Sequence, residues 1–386
     1  MIICAVAFGL WGGLLYMSLN LGMGEQMIES AIETRLSHVQ LFKKGFYADK
    51  EINKTIPSGS ELLGKIRQMQ EVEAAVGRVK VTAMAASPVT GTGVMIHGVV
   101  PEDEHSVTRI HEMLTHGTYF ETDKQNPAVI GAKLAEKLKT KLGAKIVLTA
   151  QALDGDITAG AFRVVGIYKT PSSVFDGSAV FVKKADIDRI LGLGGRIHEI
   201  AIMARDSEGI PDFAGKLERL SPQLEVLTWG ELAPELEYTK EAMSQYLYIF
   251  MIIILLSLAF GIVNIMLMAV LERVRELGVL MAVGMKHGRI FAMIVLETVL
   301  LAISGGIIGM GLGAASIAYL GRTGIDLSIV SKGLASFGAS EILYPQMALA
   351  EYPKLLLLVI VVAVLSAIYP AIKAVKINPV KAIRTY

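Results

Sequence analysis

The chain has 386 residues, 53% of them hydrophobic, a mean hydropathy of +0.51 and a formal net charge of +1. That hydropathy is too high for an ordinary soluble protein and too low for one lying wholly in lipid, and the near-neutral charge gives no basis for binding nucleic acid. The single cysteine, Cys4, excludes a disulfide within the chain.

Charge is strongly segregated along the chain. No Asp, Glu, Lys or Arg occurs from Met1 to Gly24, from Tyr246 to Leu271 or from Leu355 to Ile372, and only Glu297 interrupts the run from Ile290 to Gly321. A helix needs about 20 apolar residues to cross a bilayer core of about 30 Å, so each run is long enough to span, the last being near the lower limit. The predicted spans are 1–24, 243–271, 290–320 and 355–372. The first reads as a retained helix rather than a signal peptide, because no basic residue precedes it and no small-residue cleavage site precedes Glu25. It leaves room for a start upstream of Met1.

Residues 25–242 form the one long polar stretch, and its pattern is that of an α+β domain with its own core, divisible into two small subdomains. "RVKVTAMAA", "GVMIHGVV", "KIVLTA", "FRVVGIYKT", "SAVFV" and "HEIAIMA" read as strands, and "SELLGKIRQM", "EHSVTRIHEML", "GAKLAEKLKTKL" and "PDFAGKLERL" as helices. Ser60 and Pro211 are the expected helix starts. Helical stalks are expected to continue from the first span through "EQMIESAIETRLSHV" and to lead into the second through "WGELAPELEYTKEAMSQ". Two near-motifs fail on chemistry. "GSELLGKI" resembles a phosphate loop through Lys65, but Ile66 stands where a Mg²⁺-binding hydroxyl is needed. In "HEMLTH" the histidines 111 and 116 are five apart, which turns them off a common helical face and away from any shared metal, with Glu112 between them.

Orientation follows basic residues in short flanks. The 272–289 connection carries Arg273, Arg275, Lys286 and Arg289, and the 373–386 tail carries Lys373, Lys376, Lys381 and Arg384 with no acid, so both read as cytoplasmic. The 321–354 connection has only Arg322, Lys332 and Lys354, and reads as external. Both termini then lie inside and the large domain outside.

Within the spans, Gly305, Gly309 and Gly313 fall at four-residue intervals on one face of the third, a pattern that lets a second backbone approach closely. The stripe fits either packing inside the bundle or a subunit interface. Glu297 is expected to face protein and find a partner, with Asn264 of the second span the candidate, because an ionised carboxylate at that depth is costly. The connection after the second span is an amphipathic helix. Val274, Leu277, Leu280 and Met281 share its apolar face, Glu272 and Arg275 are spaced to pair, and Gly284 is placed to end it.

The run "NIMLMAVLERVRELGVLMAVGMKHGRI", followed by "LETVLLAISGGIIGMGLG" and the terminal "YPAIKAVKINPVKAIR", resembles the FtsX-like permease family of ATP-binding-cassette (ABC) systems. The polar stretch is similar to that family's MacB-like periplasmic core domain through "MIHGVVPEDE", "HGTYF", "AVIGAKLAEKL" and "FRVVGIYKT" in the expected order. "VLTWGELAPEL" further resembles the lipoprotein-releasing branch.

The resemblance implies a four-helix permease subunit of the bacterial inner membrane. It would work as a dimer with a second copy or paralogue, beside a separate ABC ATPase that binds ATP and Mg²⁺; this chain itself would hold no cofactor or metal and catalyse nothing. It implies an ATPase-coupling role for Glu272, Arg273, Arg275, Glu276, Gly278, Met281 and Gly284, and helix packing for Gly305, Gly309, Gly313, Glu297 and Asn264. If the cargo is a lipoprotein handed to a periplasmic carrier, Leu21, Met23, Met27 and Met243 are the substrate candidates at the lipid boundary. The alternatives are a MacB-type efflux permease for peptides or antibiotics, and a non-transporting regulator of a cell-wall hydrolase.

Overall fold

The structure is a computed structural model and describes residues 1–207, 209–330, 333–334 and 338–376. Lys332, Lys381 and Arg384, counted above for orientation, lie outside the described residues, as does the end of the terminal motif. The chain divides into two compact units, one comprising Met1–Glu25, Thr239–Asp326 and the chain from Ile342 onward, the other Gln26–Tyr238 with Leu327–Glu341.

In chain order, α1 (Ile2–Ala31) is followed by a single π turn, Ile32–Leu36. The second unit then lays down ten strands. They are β1 (Val39–Lys43), β2 (Val72–Ala86), β3 (Gly91–Val99), β4 (Leu114–Gly117), β5 (Pro127–Gly131), β6 (Lys145–Gln151), β7 (Ile157–Tyr168), β8 (Ala179–Lys183), β9 (Glu199–Ala204) and β10 (Leu224–Thr228). The helices that cover them are α2 (Gly59–Arg67), α3 (Lys184–Leu191) and α4 (Ile210–Leu220).

Two subdomains share one strand. The first half of β2 joins an antiparallel sheet in the order β10-β1-β9-β2, and its second half enters a ring in which β2, β3, β8, β5, β7 and β6 pair in turn and β6 returns to β2. The ring is a closed six-stranded barrel, which removes the free edges an open sheet would expose. Period-two alternation along β2 points Val79, Val81, Ala83 and Ala85 into the barrel, where they meet Ile96, Ile130, Ile146, Phe162 and Val180. The antiparallel half packs Leu41, Ile200, Ile202 and Val226 against Ile66 of α2 and Phe213 and Leu217 of α4.

Arg78 sits where β2 passes from one sheet to the other, and its guanidinium is buried. It donates to Glu104 through Nε (3.0 Å) and Nη2 (2.6 Å) and to Glu199 through Nη1 (2.7 Å); Lys80 also pairs with Glu199, and Thr108 Oγ1 donates to Glu104 (3.1 Å). Burial works against the charge on Arg78, but the Glu104 and Glu199 carboxylates outweigh it and hold the guanidinium protonated. Burial likewise works against Glu199, whose carboxyl is nonetheless held below its ordinary range by Lys80 and Arg78. Each buried charge is thereby matched, the condition under which such a group is tolerated.

The segment 104–114 corrects a sequence expectation. It is not one helix: a short turn, Pro101–Glu104, is followed by a 3₁₀ turn, Ile110–Met113, and then β4. The apolar positions that suggest a helical face, Val107 and Ile110, are buried in different clusters instead. "GAKLAEKLKTKL" is helical only over Ala132–Lys137 and ends before Lys139, whose φ is +48°. β1, β4, β5 and β10 are strands that the sequence pattern does not reveal.

The longer helices that follow are α5 (Pro234–Glu272), α6 (Val274–Ala282), α7 (His287–Thr323) and α8 (Glu351–Val375); α1, α5, α7 and α8 are long and apolar enough to cross a membrane. α5 starts nine residues earlier than the predicted span. Pro234 fits a first helical position because its missing N–H needs no partner there, and Glu235 and Glu237 complement the positive end of the helix dipole. A capping box at Thr228 and Glu231 starts the short turn ahead of it.

The glycine stripe of α7 lies against α1. A Cβ on Gly305 would sit 2.7 Å from the Ile3 carbonyl oxygen, one on Gly309 2.6 Å from that of Ala7, and one on Gly313 2.5 Å from Leu14 Cδ1. The neighbouring Gly306 faces Leu356 of α8 in the same way, and Trp11 Nε1 donates to Ser316 Oγ (3.0 Å) across the α1–α7 contact. In lipid, where burial of apolar surface gives helices no reason to associate, this backbone-to-backbone packing is the cohesive force. The stripe is therefore occupied inside the chain rather than free to form a subunit interface. Two hydroxyls of α7 turn back onto their own helix: Thr298 donates to the Ile294 carbonyl (2.8 Å) and Ser304 to that of Leu300 (2.8 Å).

Candidate ATPase-coupling site

The connection between α5 and α7 begins with a helix break one residue long. α5 ends at Glu272, Arg273 alone is non-helical, and α6 starts at Val274. α6 ends in a full Schellman motif. The Gly284 amide donates to the Met281 carbonyl (3.1 Å) and the Met285 amide to that of Leu280 (3.1 Å), with Gly284 at φ +98°. Only glycine takes that backbone conformation freely, so Gly284 ends the helix as its spacing predicts.

α6 has two faces. Leu277 and Gly278 are buried, Val274 and Leu280 are half-buried, and Met281 packs against the cluster that also holds Met266, Ile290 and Ala374. On the other face Glu272, Arg275, Glu276, Val279, Ala282 and Val283 are exposed, Val283 at 83%. Two of the coupling candidates thus point inward. Met281 and Gly278 belong to the packing face of α6, because Met281 lies four residues from Leu277 and Gly278 lies four from Val274 and three from Met281, spacings that share one side of a helix. Val279 and Val283 join the outward face without having been candidates. Both fall within the apolar run "LGVLMAV", where sequence alone does not separate an inward valine from an outward one. The outward signal is their spacing of four and eight residues from Arg275.

Arg273 corrects two expected pairs. Its Nε donates to Glu276 Oε2 (3.0 Å) and its Nη1 to Glu297 Oε1 (3.0 Å). The ion pair within the turn is therefore Arg273 with Glu276 rather than Glu272 with Arg275. The partner of Glu297 is Arg273 rather than Asn264, which lies exposed on α5. The helix break explains both changes: it swings the Arg273 side chain off the helical track of α5 and across to α7.

Of the residues named for substrate contact, Met27 is buried, and Leu21, Met23 and Met243 are half-buried, Met243 with its sulfur 3.7 Å from where a Cβ on Gly24 would lie. Among the described residues no group of three His, Cys, Asp or Glu side chains is placed to hold a metal ion.

Four apolar helices, a large folded insertion after the first and a charged, capped helix between the second and third define a membrane transport subunit of the permease class. Comparison with known families makes this specific. The MacB-like periplasmic core domain matches residues 1–220, and the FtsX-like permease C-terminal region matches residues 248–379. The chain belongs to this family of ABC transporter permeases.

It is 25% identical over 280 residues to an uncharacterised ABC transporter permease of Methanocaldococcus jannaschii, covering 70% of this chain and 65% of that one. It is 25% identical over 279 residues to the macrolide export ATP-binding/permease protein MacB of Bdellovibrio bacteriovorus, covering 67% of this chain and 38% of that protein. To the pyoverdine export ATP-binding/permease protein PvdT of Pseudomonas putida it is 29% identical over 287 residues, covering 69% and 40%. The match thus spans under two thirds of each of these relatives.

Proposed function

We propose that this chain is the force-transmitting permease subunit of an ABC exporter, driven by an ATPase carried on another polypeptide, which binds the ATP and Mg²⁺. The observation that carries the reading is α6, a rigidly capped helix that buries one face in the bundle and offers Arg275, Glu276, Val279 and Val283 to solvent. A mixed apolar and charged ridge of that kind suits docking into a groove of a partner protein. The second part of the reading is that both termini and α6 face the cytoplasm and the 25–242 domain faces the periplasm.

The tight glycine seam of the spans suits a lever better than a pore. The subunit would act with a second copy or a paralogue, lipid bathing the exposed apolar faces of the spans, and move a cargo already outside the cytoplasm. The names of two relatives, exporters of a macrolide and of pyoverdine, favour a small amphipathic cargo. Extraction of lipoproteins for a periplasmic carrier is the second reading, favoured by "VLTWGELAPEL" ahead of α5.

Val283→Glu together with Arg275→Glu tests the docking face. The pair should abolish co-purification of the ATPase while leaving membrane insertion and thermal stability unchanged, because both side chains are exposed. Undiminished co-purification would reject α6 as the docking element.

A further inference from the structure

Arg273 holds three elements at once. Its amide donates to the Ala269 carbonyl of α5 (3.2 Å), its own carbonyl accepts from the Leu277 amide of α6 (3.0 Å), and its guanidinium reaches Glu297 of α7. With only a one-residue break between α5 and α6, the covalent chain alone would let α6 pivot about Arg273. The fork to Glu276 and Glu297 removes that freedom, since a planar guanidinium bonded on two sides fixes direction as well as distance. Glu297 is seven residues into the predicted 290–320 span, about 10 Å along the helix at 1.5 Å per residue. A carboxylate within a span is stabilised by a cation, and among the described residues Arg273 is the cation that pairs with it.

We infer that Arg273 is a positioning residue that locks α6 to α7 through Glu297, so that a displacement of α6 enters the bundle through α7 rather than along the covalent path into α5. α7 is the element built to receive it, being seated by its glycines directly on the α1 backbone and, through Gly306, on α8. In this role Arg273, though half exposed, spends its guanidinium on Glu276 and Glu297 of its own chain and is not part of the docking ridge. The inference rests on the reading of α6 as the ATPase-facing helix, but its structural core concerns this chain alone.

The test uses the full chain in lipid nanodiscs, with Cys4 replaced by serine and spin labels at Val279 and Leu300, both exposed. The unaltered tether should give one narrow distance distribution between the labels. R273A and E297A should each lose it, and the charge exchange R273E with E297R, made together with E276Q so that the new carboxylate meets no like charge, should restore it. An unchanged distribution in both single variants overturns the tether, as does an exchange that fails to recover what the singles lose. In the assembled transporter, R273A should retain the ATPase on purification yet lose cargo-stimulated hydrolysis. Loss of the ATPase itself would place Arg273 in the docking contact and overturn the assignment. Should the Arg275 and Val283 variant leave docking intact, the reading of α6 falls while the distance measurement still decides the tether.

Discussion

The Arg78 knot of the α+β unit and the glycine seam of the membrane unit solve opposite problems. In the first, water is the competing solvent, so hydrophobic burial supplies the cohesion and can carry the cost of the buried charges, provided each is matched. In the second, lipid is as apolar as the side chains, so cohesion comes from removing side chains until backbones touch. One region is held by what its residues carry and the other by what they lack.

That contrast is broken most severely at Arg78. Replacing it with methionine leaves Glu104 and Glu199 buried with one cation between them, and should cost about 3–5 kcal/mol, read as a fall in the thermal midpoint of the α+β domain's transition. A loss below about 1 kcal/mol would mean that water reaches the knot. Gly309→Leu attacks the seam. Its Cβ alone would meet the Ala7 carbonyl oxygen at 2.6 Å, so the helices must part, at or beyond the upper end of the ~1–3 kcal/mol typical of overpacking. Gly311→Leu is the control, because a Cβ there would meet nothing within 4 Å; equal loss of folded yield in detergent for both would dissolve the seam as an explanation.

The smallest effect sharpens the first half of the comparison. Asp176 is buried, accepts from the Thr170 amide (3.0 Å) and hydroxyl (2.7 Å), and has its pKa pushed up to about 6 by burial. Between about pH 4 and pH 6 the folded chain therefore holds a proton that the unfolded chain has released, and this group's contribution to stability falls as pH rises through that window. Asp176→Asn should flatten the slope there by on the order of 1 kcal/mol per pH unit, while the weakened hydrogen bonds from Thr170 lower stability at every pH alike. A slope unchanged between pH 4 and 6 would show that Asp176 stays ionised.

The four spans are legible because charge segregation is a direct consequence of lipid, and α6 because its period and its terminal glycine are local. The strands that can be read are those with a run of β-branched residues, such as "FRVVGIYKT". β10 carries only five residues between two helices, and β4 hides in a segment whose spacing mimics a helix. Barrel closure is illegible for a different reason: it depends on β6 reaching both β2 and β7, and its pairing with β2 bridges some 60 residues of chain that no local pattern encodes. At the candidate site, composition identifies the ridge but not its facing. Periodicity sets Met281 on the apolar face with Leu277 while the family resemblance counts it among the coupling residues, and neither gives a reason to choose Val283, because the direction of a two-turn helix is fixed by the break at Arg273, and nothing in the residues around it announces that break.

The claim on which the account turns is that α6 and the α+β domain lie on opposite sides of the membrane. It is tested by single cysteines at Val283 and Ile157, both more than 80% exposed, introduced in a Cys4→Ser background and challenged in intact spheroplasts with a maleimide that cannot cross the bilayer. The account predicts labelling at position 157 without permeabilisation and at position 283 only after it. Labelling of position 283 in intact spheroplasts, or protection of position 157, would contradict it.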